Sequence, residues 1–262
     1  MTTGVTAPTS PVSSTSRPVA VVADARFYVG PELCRHLARR GFDLVAGDPS
    51  TELVDELGQL GSVVVPVTGG ATLNDESCRG LVSTALERFG RLDSAVMFSG
   101  DIVTGRFVKS SVDDLRRVLQ GCVEAPYHFL RAVTPAMVEH GSGHGGGQIL
   151  VITSAAGARP TPGAPLYSAA RAAATMLVRN VAGEVAAQGV QVNAVGTNFM
   201  DFPAFLKASG ATDPEVRARL ESQVPMRRLG TMEEFAAFCM VFLDGSSRFT
   251  TGQFVAYAGG WA

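Results

Sequence analysis

The sequence predicts an α/β fold in which a doubly wound parallel sheet is flanked by helices within a single domain. Short apolar runs alternate along the chain with longer helix-forming segments, and this alternation is typical of parallel sheets. A chain of 262 residues with 46 % hydrophobic residues is long enough to bury a large core. Residues 1–17 are mostly Thr, Ser, Pro and Val, so we expect a disordered tail there and one folded domain over 18–262.

Seven apolar runs are predicted as strands of this sheet. The first is a Val/Ala run, and the fifth is a continuous apolar run that follows a glycine-rich loop and ends at Ser154. In chain order the predicted strands are 18–23, 42–47, 62–66, 94–99, 147–154, 192–196 and 253–257.

The first helix is predicted to begin at Gly30-Pro31-Glu32, because proline suits the first helical position, and to end near Gly41. This places Leu33, His36 and Leu37 on one face. After 192–196 we expect an irregular segment that lasts until the helix near the end of the chain. The other predicted helices are 51–60, 73–89, 111–139 with a break near Gly121, 165–188 and 232–243.

Composition excludes several classes of function. A net charge of −2 gives no electrostatic footprint for nucleic acid. No apolar run reaches membrane-spanning length, and the N-terminus lacks the pattern of a signal peptide. Four cysteines without a Cys-x-x-Cys pair fit reduced thiols better than a disulfide framework, so we expect a cytoplasmic protein.

A serine, a tyrosine and an arginine form the candidate catalytic group. Ser154 ends an apolar strand, and open parallel sheets place their ligands at such carboxyl ends, although a lone serine there is more often a cap. Tyr167 and Arg171 are four residues apart in a strong helix-forming segment and therefore share one face. The guanidinium favours the phenolate form of the tyrosine, which suits Tyr167 for acid–base work.

The turn after the first strand reads Ala23-Asp24-Ala25-Arg26-Phe27-Tyr28-Val29-Gly30. A loop that binds a dinucleotide needs glycines here so that the backbone can approach the pyrophosphate at the helix N-terminus. Only Gly30 is present, and the Tyr28 ring would obstruct a nicotinamide or a pyrophosphate. The alternative is a dinucleotide enzyme with an unusual loop.

These motifs resemble the short-chain dehydrogenase/reductase family, whose pattern is Thr-Gly-x-x-x-Gly-x-Gly near the N-terminus and then Ser and Tyr-x-x-x-Lys. The resemblance covers about residues 18–262 and includes Pro225-Met226-Arg227-Arg228-Leu229-Gly230 and Thr251-Gly252-Gln253. It implies a Rossmann-like catalytic domain. Arg171 in place of lysine, together with the lost glycine loop, resembles the halohydrin dehalogenases, which are cofactor-free relatives of the reductases.

That second resemblance implies a cofactor-independent carbon–halogen lyase. Tyr167, assisted by Arg171 and Ser154, would deprotonate a vicinal haloalcohol to give an epoxide and halide, or protonate an epoxide opened by azide, cyanide or nitrite. The implied site has no metal, and a homotetramer is the implied assembly. The halide or nucleophile pocket would be formed by Tyr28, Thr197, Asn198, Phe199 and Met200.

Asp101 is predicted either to act as a relay that pairs with Arg171, directly or through water, or to be a plain turn residue. In the family pattern an asparagine would stand where Cys122 stands here. Asp48 is predicted to cap the helix after Pro49 rather than to bind a ribose.

Two further motifs are expected not to bind a ligand, and two alternative functions stay open. His140 and His144 are expected in a flexible loop rather than a metal site, and Thr68-Gly69-Gly70 is expected to be a turn rather than a phosphate loop. The main alternative function is an NAD(P)-dependent short-chain oxidoreductase with a divergent cofactor loop. The other is a catalytically silent binding protein.

Overall fold

Seven parallel strands form the central sheet in the structure, a computed structural model that describes residues 17–69, 73–140 and 146–262. The sheet order is β3-β2-β1-β4-β5-β6-β9, and a separate short pair joins β7 to β8. The order reverses between β1 and β4, so the crevice at the carboxyl ends of these strands is the expected place for a ligand. The strands are β1 (Val19–Val22), β2 (Asp43–Gly47), β3 (Val64–Val67), β4 (Ser94–Phe98), β5 (Gln148–Ser154), β6 (Gln191–Thr197), β7 (Met200–Asp201), β8 (Gly230–Thr231) and β9 (Phe254–Tyr257).

Helices cover both faces of the sheet, which confirms the predicted fold class. They are α1 (Gly30–Arg39), α2 (Thr51–Gln59), α3 (Asp75–Phe89), α4 (Val112–Leu119), α5 (Ala125–His140), α6 (Pro165–Val185), α7 (Pro203–Ser209), α8 (Pro214–Ser222) and α9 (Met232–Cys239). Alternate strand residues point to opposite faces. Val19 and Val21 therefore pack with α3, α5 and α6, whereas Ala20 and Val22 pack with α1 and α9.

The helix predicted over 111–139 does not break at Gly121. A π-helical turn, Gln120–Glu124, joins α4 to α5 and keeps the chain helical. Gly121 lies against Gly100: a Cβ added at Gly121 would come within 2.6 Å of the Gly100 Cα. The Gly121 carbonyl accepts a hydrogen bond of 2.6 Å from Ser99 Oγ. The loop that follows β4 therefore packs closely against the π-helical turn.

Three local expectations are corrected by the structure. The segment expected to be irregular after β6 contains α7, α8 and the β7–β8 pair. Asp48 does not cap α2, because Ser50 accepts from the Leu53 amide while Asp48 Oδ1 accepts from the Gly69 amide. Arg17, placed by expectation in the disordered tail, forms an ion pair of 3.2 Å with Asp43. Residues 1–16 lie outside the described residues.

The histidine pair and the Thr68-Gly69-Gly70 segment each lie partly outside the described residues. His140 ends α5 and Thr68 lies in a turn after β3, whereas His144 and Gly70 lie outside the described residues. Within 17–69, 73–140 and 146–262, no group of His, Cys, Asp and Glu side chains has the geometry of a metal site. In the same ranges no helix is long and apolar enough to cross a bilayer.

Candidate active site

The candidate site lies at the carboxyl ends of β5 and β6. Ser154 is the last residue of β5 and pairs with Thr197, the last residue of β6. Tyr167 and Arg171 lie on the first turns of α6, which packs against both strands. The side chains of Ser154, Tyr167 and Arg171 are 6 %, 7 % and 5 % exposed, so charge on them acts in a largely dry environment.

Ser154 is oriented by the backbone around it. Its Oγ donates to the Thr197 carbonyl at 3.2 Å and accepts from the Ala156 amide at 3.2 Å, which caps the short 3-10 helix Ala155–Ala158. Gly196 makes this contact between strands possible, because a Cβ there would come within 2.6 Å of the Ser154 carbonyl carbon. Ser154 is therefore held as a hydrogen-bonding group rather than as an activated nucleophile.

Arg171 lies beside the Tyr167 ring. Its guanidinium carbon is 5.0 Å from the ring centroid, which is within the range of a cation–π contact. The guanidinium donates to the carbonyls of Ser99 and Gly100, and its Nε is buried without a hydrogen-bond partner. The guanidinium is therefore fixed beside the Tyr167 ring by backbone carbonyls.

Asp101 does not pair with Arg171 in the described structure. Its side chain is exposed, and the Arg171 guanidinium is held by the two carbonyls that precede Asp101 in the chain. No direct ion pair joins the two residues among the described side chains, so a relay through Asp101 remains a prediction.

Tyr28 fills the corner between β1, β4 and β6. Its φ of 53° lies in the left-handed region, which is unusual for a bulky residue. Its hydroxyl is 2.8 Å from Thr197 Oγ1, and burial raises its pKa far above the usual range, so the phenol stays neutral. Aromatic rings surround it at centroid distances of 4.9 Å for Phe202, 5.5 Å for Phe98 and 6.2 Å for Phe235.

Asp24 occupies the other half of the same loop. Its Oδ1 accepts from the amides of Arg26 at 2.9 Å and Phe27 at 3.1 Å. The Asp24 side chain is buried. Its backbone carbonyl oxygen lies only 2.0 Å from the position of a Cβ at Gly30, so a side chain at Gly30 would collide with it. The amides that would face a phosphate are therefore already bound by a carboxylate.

The predicted pocket residues are only partly brought together. Thr197 contacts Tyr28, whereas the Phe199 ring faces Phe205 and Trp261 at 6.1 Å in each case. Met200 is buried in the core and belongs to β7, so the expected irregular anion-binding turn is partly a strand. The Asn198 Nδ2 is buried without a hydrogen-bond partner.

Sequence reasoning missed several residues of this site. Asp24 precedes two residues whose amides it binds, and this spacing is the signal of an Asx turn. Phe98 and Phe235 come from distant parts of the chain, and no local signal places them around Tyr28. Trp261 and Arg159, which contact each other beside Phe199, were missed for the same reason.

A buried serine, a buried tyrosine and a neighbouring cation thus meet at the carboxyl edge of a doubly wound sheet. A family model described as enoyl-(acyl carrier protein) reductase matches residues 29–262. The chain belongs to the short-chain dehydrogenase/reductase family.

Its relatives include named oxidoreductases. The chain is 26 % identical over 247 residues to the 3-oxoacyl-(acyl-carrier-protein) reductase of Thermotoga maritima, covering 92 % of this chain and 96 % of the relative. It is 26 % identical over 245 residues to the 7α-hydroxysteroid dehydrogenase of Escherichia coli, covering 92 % of each. A crystal structure of 7α-hydroxysteroid dehydrogenase with NADH and 7-oxo glycochenodeoxycholic acid superposes with a TM-score of 0.81 at 26 % identity, covering 93 % of each chain.

These relatives contradict the predicted halohydrin dehalogenase activity and the carbon–halogen lyase class. They are named as reductases and dehydrogenases, and one of them is crystallised with NADH. A haloalcohol substrate and a halide product are likewise unsupported. The prediction depended on a few departures from the family pattern, chiefly the lost glycine loop and Arg171, whereas the similarity to oxidoreductases extends over almost the whole chain.

The family implies a nicotinamide dinucleotide, and two side chains of the loop after β1 oppose its binding. The Asp24 carboxylate would lie against the pyrophosphate and repel it. The Tyr28 ring fills the corner beside Thr197 that a nicotinamide would enter. The cofactor loop of this chain therefore diverges from the glycine-rich form in both charge and shape.

Proposed function

We propose that the protein is a short-chain oxidoreductase with a divergent cofactor loop, and that it interconverts an alcohol and a carbonyl compound. The observation that carries the proposal is the buried group of Ser154, Tyr167 and Arg171 at the carboxyl ends of β5 and β6. The relatives named as dehydrogenases and reductases support the oxidoreductase class. The proposal assigns proton transfer to this group.

Each residue has a chemical role in that proton transfer. Tyr167, as phenolate beside the Arg171 guanidinium, accepts the proton of a substrate hydroxyl, and as phenol it returns a proton to a carbonyl oxygen. Ser154 redirects its hydroxyl from the Thr197 carbonyl to the substrate oxygen and orients it. The reaction also needs a hydride acceptor, and the relative crystallised with NADH indicates its chemical class.

Replacing the acid–base oxygen tests the proposal. We expect purified protein to reduce NAD or NADP in the presence of a panel of alcohols, followed by absorbance of the reduced nicotinamide. Tyr167→Phe keeps the ring but loses the oxygen, so its kcat/KM should fall about a thousandfold. Tyr127→Phe is the matched control, because Tyr127 is 44 % exposed on α5 and is not a member of the buried group.

Two results would contradict the proposal. One is the absence of turnover with every alcohol and carbonyl compound under both cofactors, with the protein folded. The other is release of halide from a vicinal bromoalcohol without any cofactor, at a rate that Tyr167→Phe abolishes.

We propose that the chain assembles as a homotetramer. An exposed stripe along α6 consists of small or slender residues, which allow a second helix to approach closely, and α4 exposes apolar residues nearby. The stripe is Ala169, Ala172, Ala173, Met176, Asn180 and Gly183, and the exposed residues of α4 are Val112, Leu115 and Leu119.

We further propose one catalytic domain over 18–262 in a cytoplasmic protein. Removing residues 1–16 should leave the activity unchanged. The four cysteines are free and buried, which suits a reducing compartment, so thiol titration of the unfolded protein from cells should find four thiols.

A further inference from the structure

Trp261 bridges the two loops that leave the catalytic strands. It lies in the segment after β9, where its amide donates to the Ala258 carbonyl at 3.0 Å. The Arg159 guanidinium donates to the Trp261 carbonyl at 2.6 Å and stacks 4.7 Å from the centroid of the indole ring. The indole also meets the Phe199 ring edge-on, with 6.1 Å between the ring centroids. One indole therefore contacts the chain after both Ser154 and Thr197.

Arg159 is tied to the catalytic elements through its own backbone. It follows the short 3-10 helix Ala155–Ala158, which Ser154 caps. Its carbonyl accepts from Ser168 Oγ at 3.0 Å, and Ser168 is the neighbour of Tyr167 on α6. The same Ser168 hydroxyl lies 2.6 Å from the Ala156 carbonyl. Arg159 thus has a fixed backbone, and its exposed side chain holds Trp261 in place.

A continuous aromatic wall connects Trp261 to the inner end of the site. Successive rings lie 4.9 to 6.2 Å apart between centroids, and the last ring carries the hydroxyl that contacts Thr197. An aromatic face or edge that such rings leave free can stabilise a further ring by stacking or edge contact. The wall consists of Trp261, Phe199, Phe205, Phe202 and Tyr28.

We propose that Trp261, held by Arg159, is a specificity-determining residue that selects substrates carrying an aromatic ring next to the reacting oxygen. The Arg159 side chain is the positioning group: its stacking and its hydrogen bond keep the indole against Phe199 instead of in solvent. The inference rests on the proposed function, since it names the substrate class of the same site.

Trp261 is the one tryptophan of the chain, so its fluorescence reports directly on this contact. Benzyl alcohol and ethanol serve as probes, because they carry the same hydroxymethyl group and differ in the ring. We expect benzyl alcohol, and not ethanol at equal concentration, to change the Trp261 emission of wild type. In Arg159→Ala the emission should shift to longer wavelength without ligand, and the Kd for benzyl alcohol should rise about tenfold.

Matched variants separate positioning from general damage. Arg79→Ala removes an exposed arginine and its surface ion pair on α3, so it should leave both the emission and the Kd at wild-type values. Arg159→Lys keeps the charge but loses the planar guanidinium, so its Trp261 emission should shift less than that of Arg159→Ala. Trp261→Ala, followed by calorimetric titration, should weaken benzyl alcohol and leave ethanol unchanged. In turnover, Arg159→Ala should raise the KM for benzyl alcohol and leave kcat unchanged.

The outcomes distinguish this inference from the proposed function. If benzyl alcohol changes the emission as expected while no alcohol is oxidised, the selective role of Trp261 is supported and the oxidoreductase proposal is refuted. If both alcohols are oxidised and Trp261→Ala leaves the ratio of kcat/KM for benzyl alcohol to kcat/KM for ethanol unchanged, the selective role of Trp261 is refuted and the proposed function is supported. An unshifted emission in Arg159→Ala overturns the positioning role.

Discussion

Tyr28 and Asp24 give the loop after β1 its individual chemistry. Asp24 binds the amides of Arg26 and Phe27, and Tyr28 holds a left-handed φ of 53° so that its ring can enter the aromatic corner. Such a conformation costs a bulky residue about 1–3 kcal/mol, which the buried ring contacts and the Thr197 hydrogen bond offset. Two residues therefore fill space that glycines leave open in a dinucleotide loop.

Removing the obstruction should improve cofactor binding. The double variant Asp24→Gly/Tyr28→Gly relieves the left-handed strain, frees two amides and removes one buried carboxylate. We expect the Kd for NADH, measured by fluorescence titration, to fall at least about tenfold, since such a change is worth roughly 1.4 kcal/mol or more.

Tyr28→Phe is the control for this prediction, because it keeps the ring and loses only the contact with Thr197. Its affinity for NADH should stay at the wild-type value. An unchanged Kd in the double variant would show that the loop does not limit access of the cofactor.

At the scale of elements, the junction of β5, β6 and α6 sets the geometry of the site. The parallel register places Ser154 beside Thr197, and the helical repeat places Tyr167 and Arg171 on one face. Two glycines allow the close approach of backbones. Gly196 lies against the end of β5, and a Cβ at Gly157 would come within 2.8 Å of the Arg171 carbonyl carbon.

Gly196→Ala should damage this junction. The new methyl would meet the backbone of Ser154 and Ala155 at 2.6 and 2.7 Å, and backbone cannot move aside as a flexible side chain does. We expect a loss of about 1–3 kcal/mol in the free energy of unfolding from urea titration, together with a lower kcat.

Gly80→Ala is the matched control, since Gly80 lies inside α3 with nothing within 4 Å of the added Cβ. Alanine is the better helix former, so this variant should gain up to about 1 kcal/mol. Equal stability changes in the two variants would contradict the close-packing argument.

The elements themselves were well predicted from local pattern. All seven strands of the sheet were expected within one or two residues, because buried parallel strands are short apolar runs. The segment after β6 was not, since α7 and α8 are short and amphipathically weak and β7 pairs with a strand thirty residues away. Gly121 marked an irregularity correctly, but only packing against Gly100 decided that it is a π-helical turn.

At the scale of the whole molecule, we propose that copies of the chain meet through the exposed α6 stripe. The exposed face of α6 is rich in small residues along its first three turns, and its exposed charges, Arg179 and Glu184, lie toward its end. In a tetramer with two-fold axes this face packs against its own copy. Assembly would then stabilise the helix that carries Tyr167 and Arg171.

Light scattering at micromolar concentration should give four times the mass of one chain. Ala173→Arg places a long cation in the stripe and should reduce the mass to that of a smaller species, because two like charges would meet across a two-fold axis. Ala218→Arg, on the exposed face of α8, should leave the mass unchanged. A wild type with the mass of one chain would refute the assembly.

The sequence by itself determined the sheet, the order of its elements, and the Ser154, Tyr167 and Arg171 group, because each depends on local periodicity or on spacing along one helix. The predicted reaction class was wrong, because a few departures from the family pattern were given more weight than the similarity of almost the whole chain to oxidoreductases. Only the tertiary structure showed that Asp24 binds the loop amides, that Arg171 is held by Ser99, and that Trp261 contacts Arg159 and Phe199. These contacts connect residues far apart in the chain or depend on side-chain direction, and neither leaves a periodic signal in a single sequence.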